Sequence, residues 1–258
     1  MSETIPISSK KESPSRWAWI PLVLFKPNRA FAWMANAPGN QWVMPLLLLS
    51  LVVLLRVAVA GPIKQQMTIN DQTLPPDFEY YSPEAQRQFE QAAASTRSPV
   101  FIYVFPALTS IAGVWVGWLI VGGLLHLVLT LLGGRGDTGM AMNLVAWAGL
   151  PFAVRDLVRI GFMLSTHRLV QVPGLAGFAP IGESALTAYL TALLGLIDLY
   201  LIWHILLLMI GVKVTNELSL GKAFSAVVFI FLPVLLLQAL LIHLGTSLSN
   251  LTIIRPFF

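Results

Sequence analysis

The chain has 258 residues, of which 56% are hydrophobic and only 11% charged, and its mean hydropathy is +0.75. A soluble domain carries about 25% charged residues, so this chain lacks the polar material to cover a water-facing surface; the composition excludes a soluble fold and requires an integral membrane protein. The net charge of +4 and pI near 9.6 do not indicate a nucleic-acid partner, because the basic residues are scattered beside helix ends and form no stripe interleaved with aromatics. The chain contains no cysteine, which removes disulfides, thiol chemistry and cysteine-ligated zinc. No apolar run with a small-residue cleavage site opens it, so a cleavable signal peptide is not expected.

Residues 1–15 are polar and rich in Ser, Lys and Glu, which predicts a disordered cytoplasmic tail. Residues 16–41 mix Trp17, Trp19, Phe25, Phe31 and Trp33 with Lys26 and Arg29. Tryptophan beside Lys and Arg suits the headgroup layer, so an amphipathic helix lying on the membrane interface is expected. Residues 42–258 form the membrane domain. Its first span runs from about Trp42 to Ala60, with Arg56 near the far end. The extramembrane loop 61–99 then gathers Asp71, Asp77, Glu79, Glu84 and Glu90, and within it Ser82-Pro83-Glu84 predicts a capped helix from Pro83 to about Thr96.

The second span, from near Val100 to Leu132, is longer than the ~20 residues a bilayer needs and must tilt, kink at Pro106 or protrude. Gly113, Gly117, Gly122 and Gly123 along it permit close helix packing, within this chain or in a dimer. The third span, NLVAWAGLPFAVRDLVRI from Asn143 to Ile160, contains Pro151 and then Arg155, Asp156 and Arg159. A proline frees a carbonyl that hydrocarbon cannot satisfy, and a charge at bilayer depth costs about 2.5–3.5 kcal/mol or more. A helix broken at Pro151 and enclosed by other helices is the expectation. The fourth span, about Leu186 to Val212, places Asp198 mid-way along it; a hinge from Lys213 to Lys222 leads to the fifth, Ala223 to about Gly245, with Pro233 inside. The whole is an all-α, polytopic bundle of five transmembrane helices.

Orientation follows from Lys and Arg. With the N-terminus inside, Lys10, Lys11, Arg16, Lys26, Arg29, Arg135, Lys213 and Lys222 are cytoplasmic, against Lys64, Arg87, Arg97, Arg168 and Arg255 on the other side. Eight against five favours a cytoplasmic N-terminus and a C-terminus on the opposite face.

Arg155 and Arg159 are one helical turn apart, and Asp156 lies three residues before Arg159. Together with Arg56 and Asp198 they suggest an intramembrane polar cluster that is either functional or purely a packing device. Rise per residue puts Arg155 in the outer third of the membrane and Asp198 nearer the middle, which makes their direct pairing an open question. His126, His204 and His243 also sit in spans; each has the chemistry to ligate a macrocycle or relay a proton, or else to bond a neighbouring helix. His126 and His204 both fall in the inner third of their helices and could meet, but two imidazoles make a poor metal site, and no metal or other cofactor is expected.

LFKPNRAFAWM followed by QWVMPLLLL, the pair Gly133-Gly134, NLVAWAGLPFAV, and IDLYLIWHILLLMIGVKVTNELSLGKAF stand in an order and spacing that resemble the Yip (Ypt-interacting protein) domain family in its bacterial-type form, from about Phe25 to Leu237. The resemblance implies a five-span fold with a cytoplasmic N-terminus, and a bacterial plasma membrane in preference to ER or Golgi. Eukaryotic members are associated with Rab GTPases and vesicle traffic, but the acidic Asp-Leu-Tyr-Gly-Pro signature of their cytosolic arm is absent here. A Rab-type partner therefore follows only by analogy, and for bacterial-type members the family implies no established activity.

Enzyme motifs are missing: there is no HExxH, GxSxG, phosphate-binding loop or paired glutamates on a helix. The expected function is a non-enzymatic multi-pass scaffold or adaptor with the bilayer, a membrane-protein partner or a second copy of itself as partners. The alternatives are a transporter or channel component using Arg155, Asp156 and Asp198, and an accessory subunit of a larger complex with a histidine as axial ligand.

Overall fold

The computed structural model describes residues 16–37, 39–70, 78–134, 136–182 and 184–252. The expected disordered tail, with Lys10 and Lys11, lies outside the described residues, as do Asp71, Asp77, Arg135 and Arg255. Among the described residues all regular structure is helical.

The segment expected on the membrane surface forms two short helices, α1 (Trp19–Phe25) and α2 (Pro27–Asn36), which part at Lys26. A residue before proline is pushed out of the α region, and Lys26 has φ −136° and ψ 57°. Trp19 and Val23, then Phe31 and Met34, recur at helical spacing and are fully or almost fully buried. What buries them is protein. The Trp19 and Trp147 ring centroids are 5.5 Å apart, and a Cβ added at Gly211 would lie 2.8 Å from Leu144 Cδ2 and 3.4 Å from the Phe31 ring. Glycine at 211 thus makes room for Phe31 in the bundle, which leaves Trp17 and Phe25 on the outer face, 70% and 75% exposed.

α3 (Val43–Asn70) follows, with Pro62 inside it. α4 (Pro83–Thr96) begins where expected: the Ser82 hydroxyl accepts from the Ala85 N–H at 3.2 Å. A π-helical turn, Val100–Val104, leads into α5 (Phe105–Leu131). Pro106 is the second residue of α5, directly after the π turn, which the Phe105 N–H closes by donating to the Val100 carbonyl.

The third expected span is α6 (Thr138–Ala148) and α7 (Leu150–Thr166), which meet at Gly149. Pro151 is the second residue of α7, a first-turn site where an absent N–H costs little. The fourth expected span also differs. It is divided into α8 (Ala185–Leu196) and α9 (Leu199–Asn216), and α8 packs on α10 (Leu220–Thr252). Four helices are long and apolar enough to cross a membrane: Val43–Met67, Val100–Leu131, Leu199–Asn216 and Leu220–Leu248. The α6–α7 pair is apolar but divided, with 11 and 17 residues in its parts, so neither part matches those four in length.

The core sits where α1, α2, α5, α6, α9 and α10 converge, around Trp147, Phe31, Leu144, Leu207, Leu208 and Ile230. Outward-facing leucines such as Leu108, Leu119, Leu237 and Leu241 are exposed, as a lipid-facing surface requires.

Candidate functional site

α3 packs along α7, and α7 along α9, so three elements bring the polar residues together. Arg56 comes from α3, Arg155, Asp156 and Arg159 from α7, and Asp198 stands immediately before α9. Asp156 is 3% exposed and sits among three guanidinium groups. Its Oδ2 is 3.5 Å from Arg56 Nε, and its Oδ1 is 3.7 Å from Arg155 Nε and 3.8 Å from Arg159 Nη1. Arg155 Nη1 donates to Asp198 Oδ2 at 3.3 Å, while its guanidinium lies over the Phe152 ring at 4.8 Å. All five residues expected in the cluster are present in it. The three arginines and two aspartates leave one excess positive charge.

Asp198 is not mid-helix. It caps α9, its Oδ1 accepting from the Leu201 N–H at 2.8 Å. The 18 residues of α9 span about 27 Å at ~1.5 Å per residue, which puts Asp198 at the end of the span farthest from Asn216. The helix break therefore lifts Asp198 to the depth of Arg155, where one carboxylate both caps a helix and pairs with an arginine. Leu175, in the segment after α7, supports this break: its N–H donates to the carbonyls of Leu194 and Ile197, both at 3.0 Å. Gly174, at φ +56°, lies so close to those carbonyls that an added Cβ would come within 2.6 Å of Ile197 O.

His204 is 3% exposed, and its Nδ1 is 2.7 Å from the Ala148 carbonyl, at the α6–α7 junction. A carbonyl only accepts, so Nδ1 carries the proton. The ring lies between Phe152, at 4.9 Å, and Phe231, at 5.3 Å, and not against His126. His204 thus bonds a neighbouring helix and satisfies a carbonyl beside the break. His126 and His243 are half-buried on α5 and α10, and among the described residues no three His, Cys, Asp or Glu side chains converge as metal ligands.

The glycines divide similarly. Gly122 packs on Met142 of α6, whereas an added Cβ at Gly113, Gly117 or Gly123 would meet nothing within 4 Å. Only Gly122 of the four serves close packing inside this chain.

Two polar clamps have no counterpart in the sequence reading. Asn143 Oδ1 accepts from the Gln41 N–H at 2.9 Å, and Trp147 Nε1 donates to the Gln41 carbonyl at 3.1 Å, which fixes the α2–α3 connection to α6. At the Gly133-Gly134 turn, Asn216 Oδ1 accepts from the Gly136 N–H at 3.0 Å, so the end of α9 holds the α5–α6 connection. For Asn143 an asparagine within an apolar run was the available signal; Asn216 stands in the polar hinge and carried none.

Beside the ionic cluster a cleft of about 310 Å³ opens between α3, α5 and α7, with Arg56, Lys64, Arg159 and Ser110 among its walls.

Comparison with curated proteins and with solved structures returns no match. A family model described as Yip1 domain matches residues 22–242, a stretch that includes both helix breaks and all five members of the ionic cluster. By that match over most of its length, the chain belongs to the Yip1 domain family of multi-pass membrane proteins.

Proposed function

We propose that the protein is a non-catalytic membrane scaffold that crosses the bilayer five times, with α6 and α7 together making the third crossing. Its N-terminus is cytoplasmic, its C-terminus lies on the opposite face, and its home is a bacterial plasma membrane. The observation that carries the scaffold reading is the mutual pairing of the intramembrane charges. Asp156 is held among Arg56, Arg155 and Arg159, and Asp198 is committed to both Arg155 and the first turn of α9. Groups so engaged fix helix positions, and each carboxylate already faces an arginine. The partner is another membrane protein or a second copy of the chain. Purification of the full chain from native membranes in mild detergent tests this: a stoichiometric protein companion or a defined oligomer is expected, and a chain that runs alone at every detergent concentration overturns it.

A transporter component is the second reading, favoured by the helix break at Asp198 and the charged cleft nearby. Flux into reconstituted vesicles that is abolished by Asp198→Asn with Arg155→Gln would support that reading, and unchanged flux would remove it.

A further inference from the structure

We propose that the cleft between α3, α5 and α7 binds a phosphoryl anion, carried either on an anionic membrane lipid or as free phosphate. Three of its lining side chains are cationic, Arg56, Lys64 and Arg159, and among the described residues no carboxylate lines it. Asp156, which does not line the cleft, faces Nε of Arg56 and Nη1 of Arg159 at 3.5 and 3.8 Å. A guanidinium has five N–H donors in a planar fork, so both arginines keep donors beyond those that face Asp156. The cluster as a whole is left with more positive than negative charge, and Lys64 stands at the exposed rim of the same cleft. In a low-dielectric setting that excess favours an anion. Ser110 supplies a hydroxyl on the α5 side.

Depth supports the phosphoryl assignment. From Val43 to Lys64, α3 rises about 32 Å, and to Arg56 about 20 Å, at ~1.5 Å per residue. Hydrocarbon is ~30 Å thick, so Lys64 reaches the headgroup level of the leaflet opposite α1 and α2, with Arg56 about two turns deeper. Val57, Ala60 and Met163 supply apolar wall between Lys64 at the rim and the two arginines further in. The cleft therefore carries positive charge both at its rim and at its inner end, which a phosphoryl group entering from the headgroup level meets in turn. The inference stands apart from the scaffold reading, because it requires no protein partner.

The test uses the full chain. Native mass spectrometry measures retained lipid after purification with phosphatidylglycerol or phosphatidylcholine, and thermal unfolding in phosphatidylcholine nanodiscs measures the effect of inorganic phosphate. At least tenfold preference for phosphatidylglycerol is expected, lost in Lys64→Gln with Arg159→Gln, retained in Lys64→Arg, and unaffected by Lys213→Gln, which removes an exposed charge at the other end of the bundle. Stabilisation by inorganic phosphate with the same dependence on Lys64, and without lipid preference, assigns the site to the soluble anion. Lys64→Gln alone leaves every pair of Asp156 in place, so it remains informative if the double variant does not fold. Equal retention of both lipids with no response to phosphate overturns the proposal, and so does a lipid preference that Lys213→Gln weakens as much as Lys64→Gln does.

Discussion

Among the described residues Asp156 is the one buried carboxylate, and it faces three guanidinium groups. It is 3% exposed, while the side chains of Arg56, Arg155 and Arg159 around it are 24–31% exposed and keep partial contact with solvent or headgroups. Replacing it removes the one buried charge that reconciles three like charges at close quarters. Breaking a buried ion pair costs about 3–5 kcal/mol when it leaves an uncompensated charge, and partial exposure of the arginines places this site near the lower figure. Asp156→Asn is therefore expected to destabilise the protein by about 3 kcal/mol, whereas Arg155→Gln, which leaves Asp156 two arginines, costs less. Unfolding in detergent followed by tryptophan fluorescence compares them, and an Asp156→Asn variant as stable as the parent contradicts the cluster's structural role. These residues were conspicuous in the sequence because ionised side chains are rare in apolar runs. Their pairing was less so, since it depends on where helices stop. The partner of His204 was beyond reach for another reason: it is a backbone carbonyl, which has no residue type to betray it.

Helix breaks do the positioning at the scale of elements. Pro151 announced one of them, and the structure places the junction two residues earlier, at Gly149, where the proline falls into the first turn of the next helix. The break before α9 carries no proline, and Leu194 to Tyr200 reads as a continuous apolar stretch apart from Asp198. Asp198 was read as a charge inside a helix when it is the cap that starts one. Its two duties are separable. Asparagine caps about as well as aspartate but bears no charge, so Asp198→Asn should lose only the contact with Arg155, while Asp198→Ala loses the cap as well, worth about 1 kcal/mol. The two variants, compared by thermal unfolding, are expected to fall in the order parent, Asn, Ala. Equal losses in both would mean that the cap contributes nothing and that the break is maintained by the Leu175 contacts alone.

For the molecule as a whole, α1 and α2 are part of the bundle, since Trp19, Val23, Phe31 and Met34 belong to the same core as Trp147 and Leu208. Aromatic and basic residues together suggested a surface helix because both faces of such a helix look alike in composition; only the small Gly211 opposite Phe31 distinguishes burial in protein from burial in lipid. The number of crossings then rests on the α6–α7 pair, whose parts are individually short and jointly long enough. The natural absence of cysteine makes it directly measurable, because any introduced thiol is the only one. Ser95, Thr138, Ser165 and Ser219 are exposed and lie respectively near the end of α4, at the start of α6, near the end of α7 and in the α9–α10 connection. With single cysteines at each, a membrane-impermeant maleimide added to right-side-out vesicles should label positions 95 and 165, and should reach 138 and 219 only after permeabilisation. If α6–α7 turns back without crossing, position 165 will label with 138 instead, and the five-crossing topology fails. If all four positions exchange sides together, the crossings stand and only the orientation inferred from Lys and Arg is reversed.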